Sequence, residues 1–252
     1  MISIKSDYEI SLMKKAGNIV YKTHKYLEPF VKPGITTKEL DKLAYDFIIS
    51  EGATPSFLNY DGFPGTICTS INDEVVHGIP GNRKLKDGDI VKLDIGACWK
   101  GYHGDSAWSY ACGNVSDEIK YLMKHTKEAL FVGLNEVKPG AHIGDIGAAI
   151  EEYATKHKLG IVRELVGHGI GSDVHEEPDV PNYGKRGTGP VLKKGMCIAV
   201  EPMLNLGTHK IYILDDDWTI ITRDGLPSAH FEHSVVVTDD GYEILTGDDN
   251  FE

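Results

Sequence analysis

The sequence predicts an α+β fold made of two related halves disposed about a pseudo-twofold axis, each running helix, helix, strands and return strand. Two repeats carry this reading. Val31-Lys32-Pro33-Gly34 returns as Val137-Lys138-Pro139-Gly140, 106 residues later, and a helix is expected after each. Leu85-Lys86-Asp87-Gly88 leads to Asp94 as Leu192-Lys193-Lys194-Gly195 leads to Glu201, and those two acids are 107 positions apart. No Pro/Ser-rich linker separates the halves, so residues 1–252 are expected to form one domain, with halves of roughly 1–120 and 121–252 and a site where they meet.

Taken in order, Ser6-Asp7-Tyr8-Glu9 has the form of a capping box and opens a helix whose apolar positions Ile10, Met13, Val20 and Leu27 recur at near-helical spacing. Pro29 and the first Val-Lys-Pro-Gly turn end it. Thr36-Thr37-Lys38-Glu39 is a second capping box, Leu40, Leu43, Ala44, Phe47 and Ile48 make one face, and Gly52 stops the helix. An aromatic, glycine-rich loop over 54–65 leads to a strand at Thr66–Ile71. In the strand Asp89–Ile95, Val91, Leu93 and Ile95 share one face while Lys92 and Asp94 share the other. A turn at Lys100-Gly101 returns the chain as Tyr102–Ala111, and Ser116 caps a long helix over Asp117–Asn135.

Composition narrows the function classes. With 41% hydrophobic and 25% charged residues the chain reads as an ordinary globular protein. A net charge of −12 without a basic stripe argues against DNA as a partner. The short basic clusters, Lys185-Arg186 and Lys193-Lys194, read as solvated loop residues. There is no apolar signal segment and no run of membrane-spanning length, so no membrane association is expected. Cys68, Cys98, Cys112 and Cys197 are widely spaced, which fits free thiols in a reducing, cytoplasmic compartment.

The chemistry lies in four acids set in apolar, strand-like runs, Asp94, Asp105, Glu201 and Glu232, and in the glycine-flanked His168. If Lys100-Gly101 is a two-residue hairpin loop, Asp94 faces Ala107. Asp105 then lies diagonally beside Asp94, its Cα roughly 7–8 Å away. Charges so close call for a cation between them, or else each acid caps a strand end or pairs with Lys92 or His103. Glu201 and Glu232 stand in apolar runs with few Lys or Arg nearby, and His168 taken alone reads more readily as a satisfied core histidine than as a ligand. Together, four carboxylates and a neutral imidazole carry −4, which two divalent ions cancel. Mostly oxygen ligation suits Co, Mn, Fe or Zn.

Val76-His77-Gly78-Ile79-Pro80, Leu93-Asp94-Ile95-Gly96, Tyr102-His103-Gly104-Asp105, Gly167-His168-Gly169-Ile170-Gly171, Val174-His175-Glu176-Glu177-Pro178, Val200-Glu201-Pro202-Met203 and Phe231-Glu232-His233 follow one another in the chain. In that order they resemble the motifs of the type I methionine aminopeptidases. The resemblance implies the "pita-bread" fold, a curved, mainly antiparallel sheet with helices on its outer face. It implies that Asp105 and Glu232 bridge two metals, that His168 and Glu201 complete one site and that Asp94 chelates the second ion. Glu201 would also relay the proton of the attacking water to the leaving amine, His175 would hydrogen-bond the scissile carbonyl, and His77 would contact the substrate backbone. Phe57, Tyr60, Phe63, Cys68 and Trp218 would line the methionine pocket, with Val174 nearby. The implied partner is the N-terminus of a nascent polypeptide, at the ribosome or free, and the implied state is a monomer.

Two positions depart from the common pattern: Gly96 stands where many members carry a hydroxyl, and His230 where glutamine is frequent. Xaa-Pro aminopeptidases and prolidases share the fold but usually carry a large extra N-terminal domain, whereas here the first helix opens by Asp7. Type II enzymes have a helical insertion between the positions matching Glu201 and Glu232, which only 30 residues separate here. A non-catalytic relative of the same fold would be expected to have lost ligands.

Overall fold

A computed structural model describes residues 2–247. Four helices are present in that span, α1 (Asp7–Leu27), α2 (Thr37–Ser50), α3 (Asp117–Leu134) and α4 (Ile143–Lys156). Both expected capping boxes form. The hydroxyl of Ser6 accepts from the Glu9 N–H while the Glu9 carboxylate accepts from the Ser6 N–H, and Thr36 and Glu39 repeat the exchange at the start of α2. These reciprocal bonds satisfy N–H groups that the first helical turn leaves unpaired. The third helix is capped by Ser116 and ends one residue earlier than its pattern suggests. The strand expected from Thr66 starts at Cys68, because the N–H groups of Thr66 and Ile67 bond to the Asp41 carboxylate rather than to a neighbouring strand.

The internal repeat is visible as repeated hydrogen bonds. Gly34 donates its N–H to the carbonyl of Leu85 and Gly140 to that of Leu192; Leu85 and Leu192 donate in turn to Ile35 and Ala141. An isolated antiparallel bridge joins Thr36 to Lys84 and another joins His142 to Val191. The two Val-Lys-Pro-Gly turns therefore lie against the two Leu-Lys-x-Gly turns in the same way. The strand after each second turn, Ile90–Trp99 and Cys197–Val200, carries or immediately precedes one of the acids, Asp94 or Glu201.

Every strand pairing among the described residues is antiparallel. In the first half the long hairpin Ile90–Trp99 and Tyr102–Ala111 is flanked by Thr54–Pro55 and Cys68–Ile71. In the second, Cys197–Val200 is central, between Gly167–Gly169 and His233–Val237. Lys100 and Gly101 both have positive φ, the geometry of a tight two-residue turn, and this fixes the register: Asp94 faces Ala107, and Asp105 faces Gly96. The alternation then assigns the faces. Val91, Leu93 and Ile95 pack with Ile19, Val20, Leu40, Ala44 and Ile48 of α1 and α2, which turns Asp94 to the opposite side. In the second half Ile198 and Val200 pack with Ile119, Leu122, Leu130, Ile146 and Ile150 of α3 and α4. Helices thus cover one side of each half, and the acids collect on the other.

Helix α1 approaches the hairpin closely because two glycines meet. A Cβ on Gly104 would lie 2.6 Å from the nitrogen and 2.7 Å from the Cα of Gly17. Asp105 is the next residue, so this contact sets its depth. Gly104→Ala is expected to lower stability by about 1–3 kcal/mol, the usual cost of forcing extra atoms into packed space. A urea midpoint equal to that of the parent chain would show that the contact is not limiting.

Candidate metal centre

The hairpin and the second-half sheet are joined by side-chain hydrogen bonds at the level of the acids. Ser234 Oγ donates to the Asp105 carbonyl at 2.7 Å and accepts from the Asp105 N–H at 3.2 Å. Ser106 Oγ donates to the Glu232 carbonyl at 2.7 Å, and the Glu232 N–H donates to Ala107. Ser109 Oγ donates to the carbonyl of His230 and accepts from its N–H. Asn182 holds the Glu201 carbonyl from a third direction. These are backbone clamps, so the carboxylates and the His230 ring are left to face the cavity.

That cavity, of about 380 Å³, is lined by Asp94, Asp105, His168, Glu201 and Glu232 together with His77, His175 and His230. Asp105, His168 and Glu232 offer ligand atoms within 4.8 Å of one another, and so do Glu201, His230 and Glu232. Glu232 belongs to both groups. Asp94 belongs to neither, but its carboxyl is hydrogen-bonded to that of Asp105. The alternative partners for the Asp pair are engaged elsewhere: Lys92 donates to the Asn72 carbonyl and His103 bonds through Nδ1 to Ser56. Nδ1 of His168 is 2.8 Å from the Gly169 carbonyl, which fixes the ring with Nε2 facing Glu201 at 3.5 Å and Asp105 at 3.9 Å. An imidazole so tethered is arranged as metal-binding histidines usually are.

The acids cannot all be ionised in this state. Burial lifts the Glu201 carboxyl to about 8 and that of Asp94 to about 6. Asp105 and Glu232 are raised well above the ordinary carboxylate range, by burial first and then by the facing acids. Burial also drives His77 and His168 down to about 4, so both are neutral. Asp94 Oδ1, Asp105 Oδ1 and Glu232 Oε1 are buried without a hydrogen-bond partner. Unpartnered buried oxygens on clustered acids, beside a neutral imidazole, are the donor set that a divalent cation satisfies.

The remaining expected residues form the wall. Phe57, Phe63, Cys68 and Val174 make one buried apolar cluster against which Tyr60, Ile79 and Trp218 pack. The Phe63 and Trp218 rings meet edge to face at 5.1 Å, and His77 is edge-on to Trp218 at 6.3 Å. His77 has φ of 59°, an uncommon conformation for a histidine. His175 Nδ1 is 2.9 Å from the Tyr60 hydroxyl, and its ring stands 4.3 Å from that of His168. Gly96 has a packing reason: a Cβ there would lie 2.7 Å from the Phe57 ring and 2.8 Å from Ser56. The missing side chain makes room for the pocket wall.

Val76, Leu165 and Met203 also line the cavity, and the sequence reading does not single them out. Met203 follows Glu201-Pro202 and could have been read from that adjacency. Leu165 has no local signal. The serine clamps were equally hidden, since an alternating strand serine looks the same whether it faces water or another strand.

A model of metallopeptidase family M24 matches residues 11–239. Methionine aminopeptidase 1 of Bacillus subtilis is 52% identical over 246 residues, covering 98% of this chain and 99% of that protein. The chain belongs to metallopeptidase family M24, on its methionine aminopeptidase branch. The crystal structure of methionine aminopeptidase from Rickettsia prowazekii superposes with a TM-score of 0.97 at 45% identity, over 98% of this chain and all of that one. The Xaa-Pro dipeptidase from Bacillus anthracis, also similar, gives 0.80 at 28% identity, and this chain spans only 62% of it. The pseudo-twofold pita-bread architecture is that of the M24 methionine aminopeptidases.

Carboxyls whose pKa is raised by folding stabilise the metal-free chain while they are protonated. That stability is complete below the unfolded carboxylate pKa of roughly 4 and is lost as pH rises through the folded values. For Glu201 the loss runs from roughly 4 and is completed as pH passes its folded value of about 8. The buried histidines are neutral in folded and unfolded states alike above about pH 7, but Lys92, lowered by burial to about 7, adds stability as pH rises through the same window. The Glu201 contribution is therefore read against Glu201→Gln: between about pH 7 and pH 8.5 the chelator-treated parent should lose melting temperature relative to that variant, and a divalent ion should abolish the difference. Equal pH responses in the two proteins, indifferent to ions, would contradict the assignment.

Proposed function

We propose that this chain is a metal-dependent methionyl aminopeptidase that removes the N-terminal, initiator methionine from polypeptides whose second residue is small. One observation carries the reading: the acid cluster, His168 and an aromatic-walled pocket share a single cavity large enough for one side chain and its backbone. The aromatic and apolar wall of Phe57, Tyr60, Phe63, Cys68, Val174 and Trp218 suits a flexible, polarizable thioether. The Asp94 side of the acid cluster receives the free α-amino group, which explains action at the chain terminus only.

We assign two divalent ions, drawn from Co, Mn, Fe or Zn, to Asp94, Asp105, His168, Glu201 and Glu232. When bound, such ions supply Lewis acidity that lowers the pKa of water and stabilises negative charge on a carbonyl oxygen. The chain's own groups handle the protons. Glu201, a buried carboxylate on the wall shared with His168 and Glu232, accepts the water's proton and donates it to the departing amine. His175, anchored through Nδ1 by Tyr60, presents Nε2 as a donor to the oxygen of the scissile carbonyl. His77, held against Trp218, positions the substrate backbone.

The cellular setting follows from the same reading. The substrates are nascent polypeptide N-termini, met at the ribosome or after release, by a monomer in the cytoplasm. Four free cysteines are consistent with that compartment, and no described helix is long and apolar enough to cross a membrane.

Release of free methionine from Met-Ala-Ser, run beside Met-Leu-Ser and an Xaa-Pro peptide, tests the assignment. Cleavage of the first alone, abolished by chelator and restored by a divalent ion, is the expected result. Cleavage confined to the Xaa-Pro peptide would move the chain to prolidase-like chemistry. Glu201→Gln should reduce kcat about 10²–10⁴-fold, the range for loss of a general acid–base group, with an unchanged circular dichroism spectrum. Parental turnover in that variant would remove Glu201 from its role.

A further inference from the structure

His24 and His230 are both buried, at 4% and 1% exposure. They differ in what their nitrogens do. Nδ1 of His24 is 3.0 Å from the Tyr110 hydroxyl and Nε2 is 3.0 Å from the Ser106 carbonyl, so that ring is satisfied as a core histidine should be. Neither ring nitrogen of His230 has a hydrogen-bond partner. Its backbone is fixed by Ser109 and by pairing with Met203, so the ring's place in the cavity wall is set by the strand.

Nε2 of His230 is 3.4 Å from Oε2 of Glu201, without forming a hydrogen bond. Two atoms bound to one ion at ~2.1 Å and a tetrahedral angle are about 3.4 Å apart. The separation between His168 Nε2 and Glu201 Oε1 is 3.5 Å, so Glu201 presents one oxygen to each of two imidazoles. Glu232 completes a three-residue donor set with Glu201 and His230, as it does with Asp105 and His168.

We propose that His230 is a ligand of the metal centre, giving it a second imidazole nitrogen beside that of His168. The inference rests on the reading of the acid cluster as a metal site and adds to it a residue outside the five already assigned. A neutral imidazole leaves the charge balance with two divalent ions unchanged. It raises the nitrogen content of the centre, which favours Zn, Fe or Ni over Mn, the ion that prefers oxygen donors.

The test uses the Co(II)-loaded full chain and proton NMR. Each coordinated histidine contributes one strongly shifted ring N–H resonance that disappears in deuterium oxide. Two such resonances are expected, one lost in His230→Gln and the other in His168→Gln. Competition between Zn(II) and Mn(II), followed by the Mn(II) EPR signal, should show His230→Gln lowering the Zn preference about tenfold or more. A single exchangeable resonance, present in His230→Gln and absent in His168→Gln, would overturn the role of His230 while leaving the metal centre intact. Failure of the parent chain to bind cobalt at all would overturn both.

Discussion

The cost of gathering four carboxylates in a buried space governs this structure. Asp94, Asp105, Glu201 and Glu232 line one cavity, and none has a Lys or Arg as partner there. In the absence of a cation the group sheds part of its charge by holding protons: burial raises all four pKa values, and facing acids add to the rise at Asp94, Asp105 and Glu232. A fold that specifies such a cluster must hold it rigidly, since relaxation of the backbone would let the acids separate and reach water. The serine clamps from Ser106, Ser109 and Ser234 do this by binding main-chain groups of the opposing segment. They fix the positions of the side chains without consuming their oxygens and nitrogens.

The duplicated architecture is what brings these acids together. Each half places an acid on the side of its central strand away from the helices, Asp94 in one and Glu201 in the other. The two Leu-Lys-x-Gly turns are tied to the two Val-Lys-Pro-Gly turns by equivalent hydrogen bonds. The strands that follow therefore begin from equivalent places. Symmetry supplies the scaffold, and departures from it supply the function. The long hairpin adds Asp105 in the first half, whereas the second contributes His168, Glu232 and His230. The aromatic pocket is built mainly on the first-half side, and Gly96 yields its side-chain space to Phe57 there.

Much of this was legible in the sequence because it is local. Capping boxes, the hairpin turn and the facing of Asp94 by Ala107 depend on residues a few positions apart, and the positive φ of Lys100 and Gly101 locks the register those residues imply. The acid set and the pocket were legible through motif order. What could not be read depends on contacts between distant segments. The role of Ser234 toward Asp105 spans 129 positions, and the approach of His230 to Glu201 follows from how two segments cross. The placement of Asp94 outside both tight donor groups is likewise a matter of three-dimensional packing, as is the reason for glycine at 96.

The central claim is that protons now shared among these acids occupy the place of divalent cations. Titration calorimetry of the chelator-treated protein with Mn(II) or Co(II) at pH 7, in two buffers of different ionisation enthalpy, measures it most directly. The account predicts that ion binding expels at least one proton per chain, seen as a binding enthalpy that differs between the buffers. Tight binding with the same enthalpy in both buffers, or no binding, would contradict it.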